Sequence, residues 1–172
     1  MRTFLRIESL YQQFLFHVEA TSPWNTRAVV ASLLDMVTIL NRGDVRNDVL
    51  KELDRQLFFF DRYQNMPAVD NERLRAVLDN LRHMREDLAA VGSQYLQPLR
   101  ENEFLSAIKH RSAIPGGVCE FDLPEYSHWL RKPHAERLGD IERWMATLRP
   151  LCDSIVELLW LVRESTPPTS QL

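Results

Sequence analysis

The sequence has little of what a β-sheet protein or a membrane protein needs. Only 5 of its 172 residues are glycine, and no segment alternates apolar and polar residues over the length of a strand. No apolar run approaches the roughly twenty residues of a membrane-spanning helix, and polar residues within the first twenty exclude the apolar core of a signal peptide. These absences favour an all-α fold, and we expect the protein to be soluble and cytoplasmic.

Cysteine and lysine are also scarce. The two cysteines, Cys119 and Cys152, could form one disulfide, but without other signs of export we expect free thiols. Eighteen arginines stand against three lysines. Guanidinium groups bind carboxylates with two parallel hydrogen bonds, although codon usage in a GC-rich genome explains the same bias. The net charge of -3 gives no overall attraction to nucleic acid or anionic lipid.

What the sequence does contain is helical periodicity along most of its length. The hydrophobic content of 45% suits one compact domain with a real core. We predict a multi-helix domain over 1–164 and a linker-like, proline-bearing tail over 165–172. The main predicted helices span 2–20, 23–42, 45–63, 70–91, 103–111 and 134–164.

Polar residues and prolines mark where these helices start and stop. Ser22, Asp44, Asp70 and Asn102 each stand at the amino end of a predicted helix, where a side-chain oxygen accepts a backbone amide. Pro150 interrupts the strongest periodic segment, so we expect a kink or a break there. A shorter helical stretch is expected just before Pro98, and another begins at Leu123 and Pro124.

One long segment cannot be helical. Ile114 to Pro124 contains two adjacent glycines, which permit positive φ, and its prolines prevent a helix from continuing through it. We call this segment the connector. It is expected to turn the chain and to present Phe121, Leu123 and Trp129 to the helical core.

Three consecutive phenylalanines, Phe58, Phe59 and Phe60, lie near the end of the third predicted helix. Successive helical residues are turned by about 100°, so these rings cannot all enter one core. Either the helix is packed on two sides or it carries an interface, and self-association is the favoured interpretation because exposed aromatic patches are costly.

Charged side chains between the apolar stripes are expected to be solvated. This applies to Arg6 and Glu8 in the first helix. It applies equally to the charges of both signs in the fourth helix, which typically form exposed pairs. The arginines of that helix leave a nucleic-acid-binding or general scaffold module as the alternative function; they are Arg73, Arg75, Arg82 and Arg85.

No arrangement of residues predicts catalysis, a cofactor or a metal site. Cys119, His110, His128 and His134 match no zinc-binding spacing. A nucleophile at Cys119 with His128 or Asp122 as base has no support from the sequence. The two glycines of the connector lack the spacing of nucleotide-binding loops. We therefore expect no enzyme.

Several unusual segments occur in the same order as in one known family. They are Met1-Arg2-Thr3-Phe4-Leu5-Arg6-Ile7-Glu8, Arg42-Gly43-Asp44-Val45-Arg46, Leu50-Lys51-Glu52-Leu53-Asp54-Arg55, and the connector followed by Trp129-Leu130. Together they resemble the bacterial cell division protein family ZapD, whose members bind FtsZ. The match runs along nearly the whole chain.

The resemblance implies a cytoplasmic homodimer, formed through the helical domain, that binds the carboxy-terminal tail of FtsZ and bundles its filaments at the division ring. It implies no catalysis, no membrane contact and no nucleic-acid partner. Members of the family also carry a small β-domain, made from a strand before the position of Met1 and a longer segment after the tail. The chain is therefore expected to be the helical domain alone.

The resemblance also suggests which residues bind the partner. Basic pockets on the helical domain are associated with tail binding, and the matching positions here are Arg6, Arg42, Arg46 and Arg111. Their expected role is to form charge-assisted hydrogen bonds with tail carboxylates. Two further positions expected to be basic or imidazole hold Glu103 and Ser127 instead, so this chain departs from the family pattern there.

Overall fold

The computed structural model describes residues 1–165. Within this range the chain forms nine α-helices and no strand, which confirms the predicted all-α fold. The helices are α1 (Arg2–Val18), α2 (Pro23–Leu40), α3 (Val45–Asp61), α4 (Asn71–Ala90), α5 (Gln97–Arg100), α6 (Glu103–Ser112), α7 (Pro124–Leu130), α8 (His134–Met145) and α9 (Arg149–Ser165). Of the tail predicted for 165–172, Ser165 ends α9, and 166–172 lie outside the described residues.

The predicted helix starts are confirmed by hydrogen bonds. Ser22, Asp44, Asp70 and Asn102 each accept a backbone amide from the first turn of the helix that follows. The closest of these contacts joins Asn102 Oδ1 to the Leu105 amide nitrogen at 2.9 Å. These boundaries depend on local chemistry, and for that reason the sequence pattern located them well.

The effect of proline on the helices was predicted correctly at Pro150 but not at Pro98. The long carboxy-terminal segment does break, between Met145 and Arg149, and Pro150 lies in the first turn of α9. The helical stretch predicted just before Pro98 is wrong, since α5 begins at Gln97 and contains Pro98 in its own first turn. A proline is tolerated there because the first-turn amides have no partner within the helix.

Helix α9 is the centre of the packing. It contacts α1, α3 and α4, while α1 pairs with α2 and α3 pairs with α4. Its buried side chains include Leu151, Cys152, Ile155 and Leu159, so one apolar stripe joins both pairs into a single core. Within residues 1–165, none of the helices is both long enough and apolar enough to cross a membrane.

Glu8 corrects a prediction, because it is not solvated. Its relative exposure is 6%. Nη1 and Nη2 of Arg163 each donate a 2.7 Å hydrogen bond to one of its carboxylate oxygens. A buried carboxylate needs such a partner. The pair therefore fastens α1 to α9 across 155 positions of sequence.

The connector turns as predicted but presents its side chains differently. Gly116 has φ 72°, and a side chain at Gly117 would collide with the Arg111 carbonyl oxygen. Trp129 is buried and Leu123 partly buried, but Phe121 is 93% exposed, so its predicted contact with the core is wrong. The Leu123 amide donates to the Cys119 carbonyl at 2.9 Å, and this turn leaves Phe121 at its apex, facing solvent.

Candidate ligand-binding groove

The outer face of α2 forms one wall of a depression against α1. This depression has a volume of about 380 Å³ and is open to solvent. It lies where the packing of α1 against α2 leaves Asp35, Thr38 and Ile39 of α2 outside the fully buried core. Its lining residues are Arg6, Ser9, Leu10, Asp35, Thr38 and Ile39.

Two further depressions continue from the first toward α6. One of about 260 Å³ shares Asp35 and Thr38 with it and reaches Lys109. Another of about 170 Å³ shares Leu34 and Lys109 with the second. Because neighbouring depressions share walls, they form one elongated surface, which we call the α2 groove. Beyond the residues already named, its lining includes Ala31, Val37, Asn41, Leu99, Arg100, Leu105, Ser106, His110, Ser112 and Ala113.

Cationic side chains stand at both ends of the α2 groove. Arg6 lies on the α1 side, and Lys109 and Arg100 lie on the α6 side. Nε of Arg100 donates a 2.6 Å hydrogen bond to Oδ1 of Asn41, which holds the guanidinium at the rim. Lys109 is in the last turn of α6, where the helix dipole favours positive charge.

Aliphatic side chains form much of the surface between these cations, together with Asp35 and Thr38. Leu10 and Ile39 line the α1 side, while Leu34, Leu99 and Leu105 line the α6 side. An elongated surface with cations along it and aliphatic side chains beneath suits a peptide with both carboxylates and apolar side chains. Carboxylates would bind the cations through charge-assisted hydrogen bonds, and the apolar groups would cover the floor.

The structure brings only part of the predicted basic set to this groove. Arg6 lines it directly. Arg42 follows the groove residue Asn41, is exposed, and has no side-chain hydrogen bond or ion pair with any residue in 1–165. These two arginines are therefore available to a ligand at or beside the α2 groove.

Arg46 and Arg111 are already engaged by other parts of the protein. Nε and Nη2 of Arg46 donate to the carbonyls of Leu88 and Ala89 at 3.2 and 3.0 Å, at the carboxyl end of α4. Such contacts satisfy carbonyls that have no partner within the helix. Nη1 of Arg111 lies 3.9 Å from Oδ1 of Asp122 in the connector. Neither arginine lines the α2 groove.

Sequence reasoning missed Lys109 and Arg100, and it weighed His110 only as a metal ligand. The signal was present, since Lys109, His110 and Arg111 are three consecutive basic residues at the end of a predicted helix. Glu103 and Ser127, at the positions where the family pattern suggested a basic or imidazole group, lie in α6 and α7 and do not line the groove.

The structure also places the residues weighed for catalysis or metal binding. Cys119 is exposed and donates to Oδ2 of Asp122 at 3.4 Å, whereas Cys152 is buried in the core. Burial raises the pKa of the Cys152 thiol above its ordinary value. Among residues 1–165, no group of three or more His, Cys, Asp or Glu side chains is placed to hold a metal ion.

Comparison with known proteins gives one consistent answer. The family model named ZapD, described as cell division protein, matches residues 5–172. "Cell division protein ZapD" of Janthinobacterium sp. (strain Marseille) is 38% identical over 172 residues, covering 100% of this chain and 68% of the relative. The protein of that name from Aromatoleum aromaticum is 33% identical over 172 residues, covering 100% of this chain and 67% of the relative. The Chromobacterium violaceum protein is 37% identical over 164 residues, covering 95% and 65%. The chain thus spans about two thirds of the length of these relatives.

Proposed function

Because the chain belongs to the ZapD family of cell division proteins, we propose that it is a non-enzymatic adaptor that binds the carboxy-terminal tail of FtsZ. As a dimer it crosslinks FtsZ filaments into bundles at the mid-cell division ring, in the cytoplasm. The family is not a known class of enzyme. The observation that supports tail binding best is the α2 groove, with cations at both ends of an aliphatic floor.

Tail binding in this proposal uses exposed cationic side chains that form no ion pair within residues 1–165. Arg6, Arg42, Arg100 and Lys109 are exposed and donate hydrogen bonds to carboxylates of the tail, while its apolar side chains cover the groove floor. Arg46 and Arg111, engaged by α4 and by the connector, contribute mainly through their positive charge.

Dimerisation in this proposal uses the exposed aromatic face near the end of α3. Phe58 and Phe59 are 65% and 44% exposed, and Met66 adds a third exposed apolar side chain to this part of the chain. The Arg62 guanidinium lies over the Phe58 ring at 4.5 Å, which holds that ring in place. A stable interface needs roughly 800 Å² from each partner, so neighbouring polar residues must complete it.

Bundling follows from having two tail sites in one particle. A monomer with one groove binds a tail but cannot join two filaments. A dimer holds two tails at once and gains avidity along filaments that display many copies of the tail.

Fluorescence anisotropy with a labelled FtsZ tail peptide tests the binding site. Arg6→Glu, Arg42→Glu and Lys109→Glu should each weaken binding, roughly tenfold if the reversal costs about 1.4 kcal/mol. Arg75→Glu is the matched control, because Arg75 is exposed on α4, away from the groove. The affinity of this variant for the tail peptide should match that of the unaltered protein. Equal affinity for all variants would refute the α2 groove as the tail site.

Sedimentation of FtsZ filaments tests the bivalent mechanism. Phe58→Glu combined with Phe59→Glu should give a monomer in analytical ultracentrifugation that still binds the tail but no longer bundles filaments. Phe16→Glu, which alters a ring on α1 that is even more exposed, should leave both properties unchanged. Bundling by the monomeric variant would overturn this mechanism.

Affinity for random duplex DNA at physiological salt, without tail binding, would favour the alternative nucleic-acid-binding module.

A further inference from the structure

One acidic side chain stands in the middle of the basic α2 groove. Asp35 is exposed and lies where the first and second depressions meet. It is the only carboxylate lining the groove within residues 1–165. Cations lie on both sides of it, Arg6 toward α1 and Lys109 toward α6.

The carboxylate of Asp35 has no partner in the described part of the chain. No residue in 1–165 forms a hydrogen bond or an ion pair with the Asp35 side chain. The hydroxyl of Thr38, its neighbour in the groove wall, donates instead to the Leu34 carbonyl at 2.9 Å. Asp35 therefore presents free acceptor oxygens to whatever lies in the groove.

An entirely acidic ligand would meet repulsion at this point. Two like charges 4 Å apart repel by an amount that corresponds to about a fivefold loss of affinity even in bulk water, and by more near a protein surface. A basic side chain at the same place would turn that repulsion into attraction. The sign of the charge opposite Asp35 therefore separates two kinds of peptide.

We propose that Asp35 is a specificity residue that binds a lysine or arginine of the bound peptide, so that the α2 groove selects peptides whose basic residue lies between acidic ones. This inference rests on the proposed tail-binding function and names the charge pattern of the segment that the groove recognises. The charges along the groove run from Lys109 to Asp35 and then to Arg6. This positive-negative-positive order is complementary to an acidic-basic-acidic peptide. A polyanion of uniform charge, such as nucleic acid, is disfavoured by the same carboxylate.

The proposal is tested by whether one substitution weakens or strengthens peptide binding. Asp35→Asn should weaken binding of the FtsZ tail peptide about three- to tenfold, since it removes an attractive contact. Asp87→Asn is the control, because it changes the net charge equally at an exposed site on α4 and should leave affinity unchanged. Tighter tail binding by Asp35→Asn would show that Asp35 only repels the ligand and would overturn the proposal.

Substitutions in the peptide locate the contact. When each basic residue of the tail peptide is replaced in turn by alanine, one replacement should weaken binding to the unaltered protein but not to Asp35→Asn. Such coupling identifies the pair. Equal effects on both proteins for every replacement would contradict a direct contact.

A pair of synthetic peptides separates this inference from the proposed function. The peptides have equal length and apolar residues, one with an acidic-basic-acidic order and the other acidic throughout. The unaltered protein should prefer the mixed peptide, and Asp35→Asn should lose that preference. Failure to bind the FtsZ tail would refute the proposed partner while this comparison still decides the role of Asp35. No preference between the two peptides, or no binding of either, would overturn that role.

Discussion

Replacing Gly117 by alanine tests whether the connector is held by a close backbone contact. A Cβ atom at this position would lie 2.5 Å from the Arg111 carbonyl oxygen and 2.9 Å from Cβ of Ile114. The carbonyl belongs to the last turn of α6 and cannot rotate away as a side chain could. Forcing extra atoms into such a contact costs about 1–3 kcal/mol. We expect Gly117→Ala to lie at the upper end, about 3 kcal/mol.

Two other glycines provide matched controls for this substitution. Gly116 has φ 72° with open space around it, so Gly116→Ala should cost only the backbone strain, about 1 kcal/mol. Gly139 lies within α8, also in open space, so Gly139→Ala should stabilise the protein by about 0.5–1 kcal/mol through helix propensity.

Urea-induced unfolding followed by tryptophan fluorescence and circular dichroism measures all three variants. In a thermal scan each kcal/mol should appear as a change of about 2–4 °C in Tm for a chain of this size. The reasoning is refuted if Gly117→Ala costs no more than Gly116→Ala, because the close contact would then contribute nothing. Destabilisation by Gly139→Ala would contradict the open space around that position, because an alanine without close contacts should only strengthen the helix.

Three further predictions concern ionisation, thiol accessibility and capping. Burial raises the pKa of Tyr95 and of Tyr126 to about 12. These folded-state pKa values exceed the unfolded value of 10.0, so the stabilising contribution of the two tyrosines is complete below pH 10 and is lost as pH rises toward 12. The free energy of unfolding should therefore fall between pH 10 and pH 12. Constant stability over that interval would contradict the prediction. A maleimide should label Cys119 in the native protein but Cys152 only after unfolding, as mass spectrometry can verify. Asp70→Ala should cost about 1 kcal/mol in chemical unfolding, because two first-turn amides of α4 lose their acceptor.

Much of the fold could be predicted because its signals are local. The apolar spacing located the long helices to within a few residues, and caps such as Asp70 and Asn102 marked their starts. The break near Pro150 followed from the missing amide of proline. Each of these inferences uses residues within one or two helical turns.

The candidate site was predicted only in part, because a groove depends on which helices become neighbours. Arg6 was identified through the family resemblance, and it does line the α2 groove. Lys109 and Arg100 were missed because the basic run at Lys109 is visible in the sequence, but nothing local shows that α5 and α6 would lie against α2. Arg46 was expected to bind tail carboxylates, and only the structure shows that its guanidinium donates to the carbonyls that end α4.

The sequence by itself determined the helix boundaries, the connector and the family, because these depend on residue order and short-range chemistry. The tertiary structure alone decided which charged side chains remain available. Glu8 and Arg6 are two residues apart on α1, yet Glu8 is buried against Arg163 and Arg6 faces the groove. The difference arises because α9 covers the side of α1 that carries Glu8, whereas Arg6 lies in the open depression at the edge of the contact between α1 and α2.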